Sequence, residues 1–129
     1  FKYIVRRSNT KKRGRKIALV LSLSGLVQSD EVHKVLPNAP HYEITVAKPH
    51  RDYLQRRSQL AIFAQVYRQL LTEIRQRHGS NCEIYLFPAV PVSVAVTCGK
   101  ELLPKADPRL HVYDLDNERG GFVPTLTIN

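Results

Sequence analysis

The sequence predicts an α/β fold with a mostly parallel sheet and helices on both faces of that sheet. Strand-type and helix-type segments alternate along most of the 129 residues, which is the order expected when crossover helices connect parallel strands. The segment Ile17–Leu23 is a nearly continuous aliphatic run, typical of a strand buried on both faces. Between Leu60 and Ile74 the apolar side chains recur at helical spacing.

The remaining elements follow from local patterns. Residues 1–6 alternate as a strand does, and residues 7–16 are polar and indicate an exposed connection. A helix is predicted over Ser29–Leu36, because acids occupy its first turn and a proline follows it. The further predicted elements are the strand His41–Ala47, a helix capped by Asp52 and Gln55 that ends before Gly79, the strand Cys82–Phe87, the helix Val92–Leu103, the strand Leu110–Leu115, a turn over Asp116–Gly121 and the strand Phe122–Ile128, with Pro124 indicating an edge position.

The stretch Ile84–Ala95 predicts a strand, a short loop and the start of a helix. The apolar run breaks at Pro88, and Pro91 stands where a helix can begin, because the first helical residue has no partner for its N–H. In an open α/β sheet such a junction lies at the carboxyl edge of the strands, where ligands bind. The alternative is a plain strand-to-helix turn stiffened by prolines, and shape alone favours that alternative.

The positive charge of the chain is concentrated at its beginning. Residues 1–16 hold eight Lys and Arg side chains and no acid, whereas the other 113 residues are close to neutral. Such a segment either contacts a polyanion or is a solvated linker. The sequence favours the linker.

The composition indicates one domain from the reducing interior of a cell. The length suits a single domain, and no apolar run is long enough to span a membrane. Cys82 and Cys98 do not have metal-ligand spacing, so we expect a cytoplasmic protein without a structural disulfide. The chain lacks Met even at position 1, and we expect it to be a piece of a longer protein.

No catalytic or metal-binding set of residues stands out. Asp114 and Asp116 lie two residues apart at a strand end, where they offer two carboxylates to a metal, but solvated acids beside a turn are the favoured interpretation. The five histidines lie in different elements without ligand spacing. We therefore predict no catalytic residue, no metal ligand and no cofactor.

Groups of another kind do converge at the predicted carboxyl ends of the strands. Because these ends meet at one edge of a parallel sheet, we expect the groups to line one surface. Helix N-termini and lysine suit phosphates, and aromatic rings suit the stacking of bases, so the mixture indicates a nucleotide ligand. The set comprises Ser22, Ser24 and Gly25 after one strand, Lys48, His50 and Arg51 after the next, Phe87, Pro88, Ala89, Pro91 and Ser93 after the third, and Tyr113 and Asp114 after the fourth.

Four separated blocks of the sequence, in the same order, closely resemble the SAVED domain. SAVED domains are sensor modules of bacterial anti-phage systems, mainly the cyclic-oligonucleotide-based systems (CBASS) and some CRISPR-linked ones. The most specific block is the string Phe-Pro-x-x-Pro-x-x-x-Ala-x-x-x-Gly at residues 87–99, followed later by Val-Tyr-Asp. The four blocks are Lys16–Gly25, Leu60–Leu71, Ile84–Lys100 and Leu110–Asp114.

The resemblance implies a Rossmann-like, CARF-like fold and the function of a sensor. A SAVED domain fuses two CARF-like halves. Residues 15–129 resemble the C-terminal half, which leaves residues 1–14 as an N-terminal strand and basic linker or as the end of the preceding half. By resemblance, the complete domain binds a cyclic di-, tri- or tetranucleotide, forms head-to-tail homo-oligomers and activates a fused effector. The candidate ligand-binding residues are Ser22, Ser24, Gly25, Lys48, Arg51, Phe87, Pro88, Ala89, Ser93 and Tyr113.

Two other functions stay open at this point. One is a ring nuclease that degrades the cyclic messenger on a CARF-like scaffold. The other is a nucleic-acid binder that uses the basic residues 6–16. We favour the sensor, which is not itself an enzyme and would act through an effector on a missing domain.

Overall fold

The computed structural model describes residues 2–11, 13–102, 107–116 and 121–128, which form a six-stranded sheet with helices on both faces. The predicted fold class is thereby confirmed. The strands are β1 (Tyr3–Ser8), β2 (Lys16–Ser22), β3 (His41–Val46), β4 (Glu83–Ala89), β5 (Arg109–Asp116) and β6 (Gly121–Ile128). The helices of the described residues are α1 (Ser29–Val35), α2 (Arg57–His78) and α3 (Val92–Lys100).

The strand order is β1-β3-β2-β4-β5-β6, and the four inner strands are parallel. The two outer strands, β1 and β6, are antiparallel to their neighbours. From β2 the chain moves to one side to form β3, and it then crosses back over β2 to form β4 and β5. The direction of winding therefore reverses between β2 and β4, which is the place where open α/β sheets bind ligands.

The same reversal distributes the helices between the two faces. Parallel crossovers are right-handed, so α1 must lie on the face opposite to α2 and α3. The larger apolar core lies on the α2 and α3 face, where Phe63, Tyr67 and Leu71 of α2 pack on alternate residues of the strands. A smaller core around Val20, Val32 and Phe87 lies on the α1 face.

The central position of β2 explains the aliphatic run that the sequence shows there. Ile17 through Leu23 are at most 2% exposed, and alternate side chains enter the two cores. A strand covered on both faces has no position for a polar residue without a partner. The one polar side chain within β2's buried run, Ser22, has partners that are described below.

Strand β4 continues through Pro88, which corrects the predicted break at that residue. Pro88 lies opposite Leu21 of β2, and the carbonyl of Ala89 still accepts hydrogen bonds from the β2 side. Since successive residues direct their N–H and C=O groups to opposite sides, the backbone of Pro88 faces the β5 side. Strand β5 pairs with β4 only as far as Leu86, so no ladder hydrogen bond is lost at the proline.

Helix α2 begins five residues later than the predicted Asp52 cap. The side-chain oxygen of Gln59 accepts the backbone N–H of Gln55 at 2.6 Å and that of Arg56 at 2.8 Å. This side chain satisfies N–H groups at the start of the helix, and the helix begins at Arg57. The predicted cap of Asp52 and Gln55 is therefore wrong, because Arg56 and Gln59 form the capping box of this helix.

The last strand lies at an edge of the sheet, as Pro124 predicted. The predicted turn over Asp116–Gly121 falls mostly on residues 117–120, outside the described residues. The same holds for the predicted helix end at Leu103, whereas the described part of α3 ends at Lys100.

Gly121→Ala is expected to destabilise the fold by about 1–3 kcal/mol. Gly121 has a φ of +140°, a conformation that costs an L side chain energy, and an added Cβ would collide with Oε2 of Glu31 on α1. The free energy of urea unfolding measures the effect. Gly25→Ala is the matched control, because a Cβ there meets no atom within 4 Å. Equal stability of the two variants would contradict the assigned packing.

Candidate functional site

The loops after β2, β3 and β4 are fixed to one another at the point where the strand order reverses. The backbone N–H groups of Leu23 and Ser24 both donate to the carbonyl of Ala89, at 3.1 and 2.7 Å. The N–H of His50 donates to the carbonyl of Leu23 at 3.1 Å. A surface of this kind is preorganised for a ligand. We call it the carboxyl edge and define it by residues 23–28, 47–52 and 90–93.

Ser22 lies beneath the carboxyl edge and is fully buried. Its hydroxyl donates to Oε2 of Glu43 at 2.7 Å and accepts the N–H of Val27 at 3.2 Å. Its carbonyl accepts the hydroxyl of Thr45 at 2.7 Å. Ser22 therefore holds the loop to β3 from beneath the carboxyl edge. Glu43 and Thr45 were missed, because nothing in the sequence pairs them with this loop.

Ser24 and Gly25 form the open part of the first loop. Ser24 is partly exposed, although its N–H is already bonded to Ala89. An added Cβ at Gly25 would meet no atom within 4 Å, so the space over this residue is free. The N–H groups of Leu23 and Ser24 are therefore already bonded and are not available to a phosphate. Room for a ligand remains beside Gly25 and the Ser24 hydroxyl.

The N-terminus of α3 faces the same edge. Pro91 directly precedes the helix, and its carbonyl accepts the N–H groups of Val94 and Ala95 at 3.0 and 3.1 Å. The N–H groups of Val92 and Ser93 make no hydrogen bond within the described part of the chain. They lie at the positive end of the helix dipole, where anions are stabilised. The exposed hydroxyl of Ser93 adds a further polar group.

Cations flank the carboxyl edge on the side of β3. Lys48 and Arg51 follow β3 and are exposed, as are Arg56 and Arg57 at the start of α2. The bond between His50 and Leu23 places this loop beside the one after β2. The structure thus brings the predicted cations to the same edge as Ser24 and Gly25.

Phe87, Pro88 and Tyr113 are directed away from the carboxyl edge. Phe87 is fully buried, and its ring centroid lies 5.2 Å from that of Tyr113 and 5.0 Å from that of Phe122 on the α1 face. Pro88 lines a small apolar cavity of about 130 Å³ that Ala95 of α3 also lines. The buried ring of Phe87 therefore positions the loop that carries Ala89.

Two exposed aliphatic side chains at the carboxyl edge were missed. Leu26 is 68% exposed in the loop after β2, and Val92 is 80% exposed at the start of α3. Each is an ordinary apolar residue in the sequence, and only the fold shows that neither enters a core. Together they add apolar surface to an edge that otherwise offers hydroxyls, N–H groups and cations.

The two cysteine thiols of the core are buried. Burial raises the pKa of the Cys98 thiol to about 12, so this thiol stays protonated at neutral pH. Burial also raises the pKa of Cys82. Among the described residues no group of three or more His, Cys, Asp or Glu side chains could hold a metal ion.

No helix in the described ranges has both the length and the apolar character that crossing a bilayer requires.

A mostly parallel sheet whose direction of winding reverses between β2 and β4, with helices on both faces, defines a Rossmann-like α/β domain. The loops of its carboxyl edge are hydrogen-bonded to one another. The chain belongs to the SAVED family, described as the SMODS-associated and fused to various effectors sensor domain, whose model matches residues 1–128. The resemblance inferred from the four sequence blocks is thereby confirmed. The match includes β1, which is hydrogen-bonded to β3 of the same sheet. A search of curated proteins gives no match.

Solved structures of the Cap4 SAVED/CARF-domain containing receptor from Acinetobacter baumannii share this fold. The form with the cyclic trinucleotide 3'3'3'-cAAA has a TM-score of 0.77 at 12% identity, over 98% of this chain and 27% of the receptor. The form with 2'3'3'-cAAA has a TM-score of 0.71 at 11% identity, over 98% and 27%. The receptor structure described without a trinucleotide has a TM-score of 0.67 at 11% identity, over 98% and 26%. The chain thus spans about a quarter of the receptor's length.

Proposed function

We propose that this chain is part of a cyclic oligonucleotide sensor in bacterial anti-phage defence, and that ligand binding at the carboxyl edge activates a fused or associated effector. The observation that carries the proposal is that the loops after β2 and β4 are hydrogen-bonded to each other, and that α3 begins directly after the second of them. Membership of the SAVED family and the likeness to a receptor solved with cyclic trinucleotides support it.

The ligand's phosphates would meet the polar part of the carboxyl edge. Ser24 is hydrogen-bonded to Ala89, three residues before α3 begins, and the space over Gly25 is free. Lys48 and Arg51 supply positive charge. Hydroxyl and N–H donors at a helix N-terminus suit phosphate oxygens. Each contact also positions the ring of the cyclic ligand, because its phosphates are covalently linked.

The bases would meet the apolar part of the same edge. Leu26 and Val92 expose aliphatic surface on the two loops, and such surface favours the planar faces of bases over water. Ser22, Phe87 and Pro88 act indirectly in this proposal, because they hold the loops that carry Ser24, Ala89 and Ser93. Tyr113 is half-buried on the α1 face, where its ring packs against Phe87, and it also acts indirectly in this proposal.

The complete sensor requires more chain than the 129 residues. The chain spans about a quarter of the Cap4 receptor, so we propose that a second SAVED half closes the ligand site from the open side of the carboxyl edge. The same longer protein, or a partner protein, would supply the effector domain. Ligand binding would join copies of the sensor into a homo-oligomer in the cytoplasm.

Isothermal titration calorimetry on the full-length protein tests this function. The panel consists of cyclic di-, tri- and tetranucleotides with different bases and linkages, and we expect a saturable response to at least one member. Chromatography of the recovered ligand separates a sensor from a ring nuclease, because a sensor returns an intact ring. A folded protein that responds to no member, or that returns a linear product, would contradict the proposal.

A further inference from the structure

The opposite end of the sheet carries a set of exposed cations. Lys11, Arg13, Arg15 and Lys16 are all exposed and lie where β2 begins, at the amino edge of the parallel strands. Helix α2 runs antiparallel to the strands, so its last turn brings Arg77 to the same place. The basic segment of the sequence is therefore built into the fold as part of a defined edge.

Three grooves follow one another along this amino edge and share its cations. The first has a volume of about 620 Å³ and is lined by Lys11, Arg13 and Arg77 together with His78. The second, of about 520 Å³, is lined by Arg13, Arg15 and Lys16 on one side and by residues 35–40 on the other. The third, of about 290 Å³, begins at Arg15 and includes Arg109 together with Glu83, which lies 3.7 Å from Arg109. Arg13 and Arg15 each belong to two grooves, so the cations form a continuous path.

The acids of this edge are occupied by other cations. Glu73 accepts two hydrogen bonds from the Arg7 guanidinium, both at 2.7 Å, and lies 3.7 Å from Arg77. Glu83 lies 2.8 Å from Nε2 of His111 and 3.7 Å from Arg109. Within the described part of the chain, no carboxylate lies within ion-pairing distance of the cations at residues 11, 13, 15 and 16.

Because Glu73 and Glu83 are held by other cations, the exposed cations at residues 11, 13, 15 and 16 attract a polyanion and repel a like-charged surface. A second copy is disfavoured as the occupant, because its carboxyl edge presents Lys48, Arg51 and Arg57. The first groove is lined by cations, His78 and small residues without a Phe, Tyr or Trp ring for base stacking. These features favour a regular phosphate backbone over splayed single-stranded bases.

We propose that the amino edge binds the phosphate backbone of double-stranded nucleic acid without sequence specificity. Lys11, Arg13 and Arg15 contact successive phosphates along the three grooves, and Arg77 adds a contact from α2. The site lies at the end of the strands opposite to the carboxyl edge, so it is independent of the cyclic oligonucleotide site. The phosphate backbone is common to DNA and RNA duplexes.

Fluorescence anisotropy with labelled 20-base-pair DNA and RNA duplexes tests the site in the full-length protein. The variant K11A/R13A/R15A is expected to lose at least tenfold in duplex affinity at 50 mM salt. The slope of log K against log salt should fall by up to about 2.7, on the basis of about 0.9 for each phosphate contact that is lost. The DNA and RNA arms show which duplex the edge prefers.

The controls separate the site from net charge and from the proposed sensor function. K2A/R57A/K100A removes the same charge at exposed cations outside the amino edge and should keep duplex affinity, as should the charge-conserving K11R/R13K/R15K. The two variants at residues 11, 13 and 15 should bind the cyclic oligonucleotide like the wild type, because these residues lie away from the carboxyl edge. The proposal is overturned if the wild type does not bind duplex at 50 mM salt, if both alanine variants lose affinity equally, or if polyglutamate or a single-stranded 20-mer binds more tightly than the duplexes.

Discussion

Ser24→Trp is expected to abolish cyclic oligonucleotide binding while the fold survives. Ser24 is partly exposed beside the open space over Gly25, so an indole there would fill the approach to the carboxyl edge. The backbone bond from its N–H to Ala89 does not depend on the side chain. We expect an affinity loss of more than a hundredfold in calorimetry, on the order of 2.7 kcal/mol at 25 °C, with a melting temperature within a few degrees of the wild type.

Ser80→Trp is the matched control for this variant. Ser80 is exposed at the amino edge, at the opposite end of the sheet, so the same substitution places the same indole far from the proposed ligand. Ligand affinity should stay within about twofold, or about 0.4 kcal/mol. If Ser80→Trp weakened binding as much as Ser24→Trp, or if Ser24→Trp bound normally, the carboxyl edge would not be the binding surface.

Arg68→Ala is expected to be the most destabilising single change on the surface of α2. The Arg68 guanidinium donates to both carboxylate oxygens of Asp107, at 2.6 and 2.9 Å, and to the carbonyl of Glu101 at 2.6 Å. The Asp107 side chain is fully buried, whereas that of Arg68 is 25% exposed. Removal of the arginine would take both of these hydrogen bonds from a buried carboxylate. We expect a loss of about 3 kcal/mol, at the lower end for broken buried pairs because solvent reaches the guanidinium.

Urea unfolding monitored by circular dichroism measures this loss. Arg77→Ala is the comparison on the same helix, because Arg77 is exposed and lies 3.7 Å from its acid, Glu73; its loss should be below about 1 kcal/mol. Arg68→Ala combined with Asp107→Asn should recover part of the stability, since the buried charge is removed. Equal losses for the two arginine variants would show that the pair with Asp107 does not stabilise the fold.

The elements that could be predicted from the sequence are those governed by a single pattern. Ile17–Leu23 is aliphatic because β2 is buried on both faces, and the helical spacing of apolar residues after Leu60 marks the face of α2 that enters the core. The convergence of loops could be predicted as well, because parallel strands direct their carboxyl ends to one edge. Lys48 and Arg51 reach the same edge as Ser24 for this reason.

The details that could not be predicted depend on neighbours that are distant in sequence. Pro88 continues β4 only because β5 stops pairing beyond Leu86. Ser22 is buried because the Glu43 side chain, on the adjacent strand, accepts its hydroxyl. Phe87 enters the α1-face core because Phe122 of β6 lies against it. None of these contacts is encoded by spacing along the chain.

The surface formed by the basic segment at the start of the chain could not be predicted from the sequence either. Its charge was evident, but the sequence favoured a solvated linker. Only the fold shows that Arg13 and Arg15 each line two adjoining grooves and that the last turn of α2 adds Arg77. Whether a basic segment forms a surface is therefore decided by the strand and helix that it joins.

The position of a bound ligand tests the central claim most directly. The measurement is a crystal structure of the full-length protein with the cyclic oligonucleotide that responds in the panel. The account predicts a phosphate within hydrogen-bonding distance of the Ser24 hydroxyl or the Gly25 N–H, and a second contact at the start of α3 near Ser93. A ligand bound away from both loops, for example against Arg13 and Arg77 at the amino edge, would contradict it.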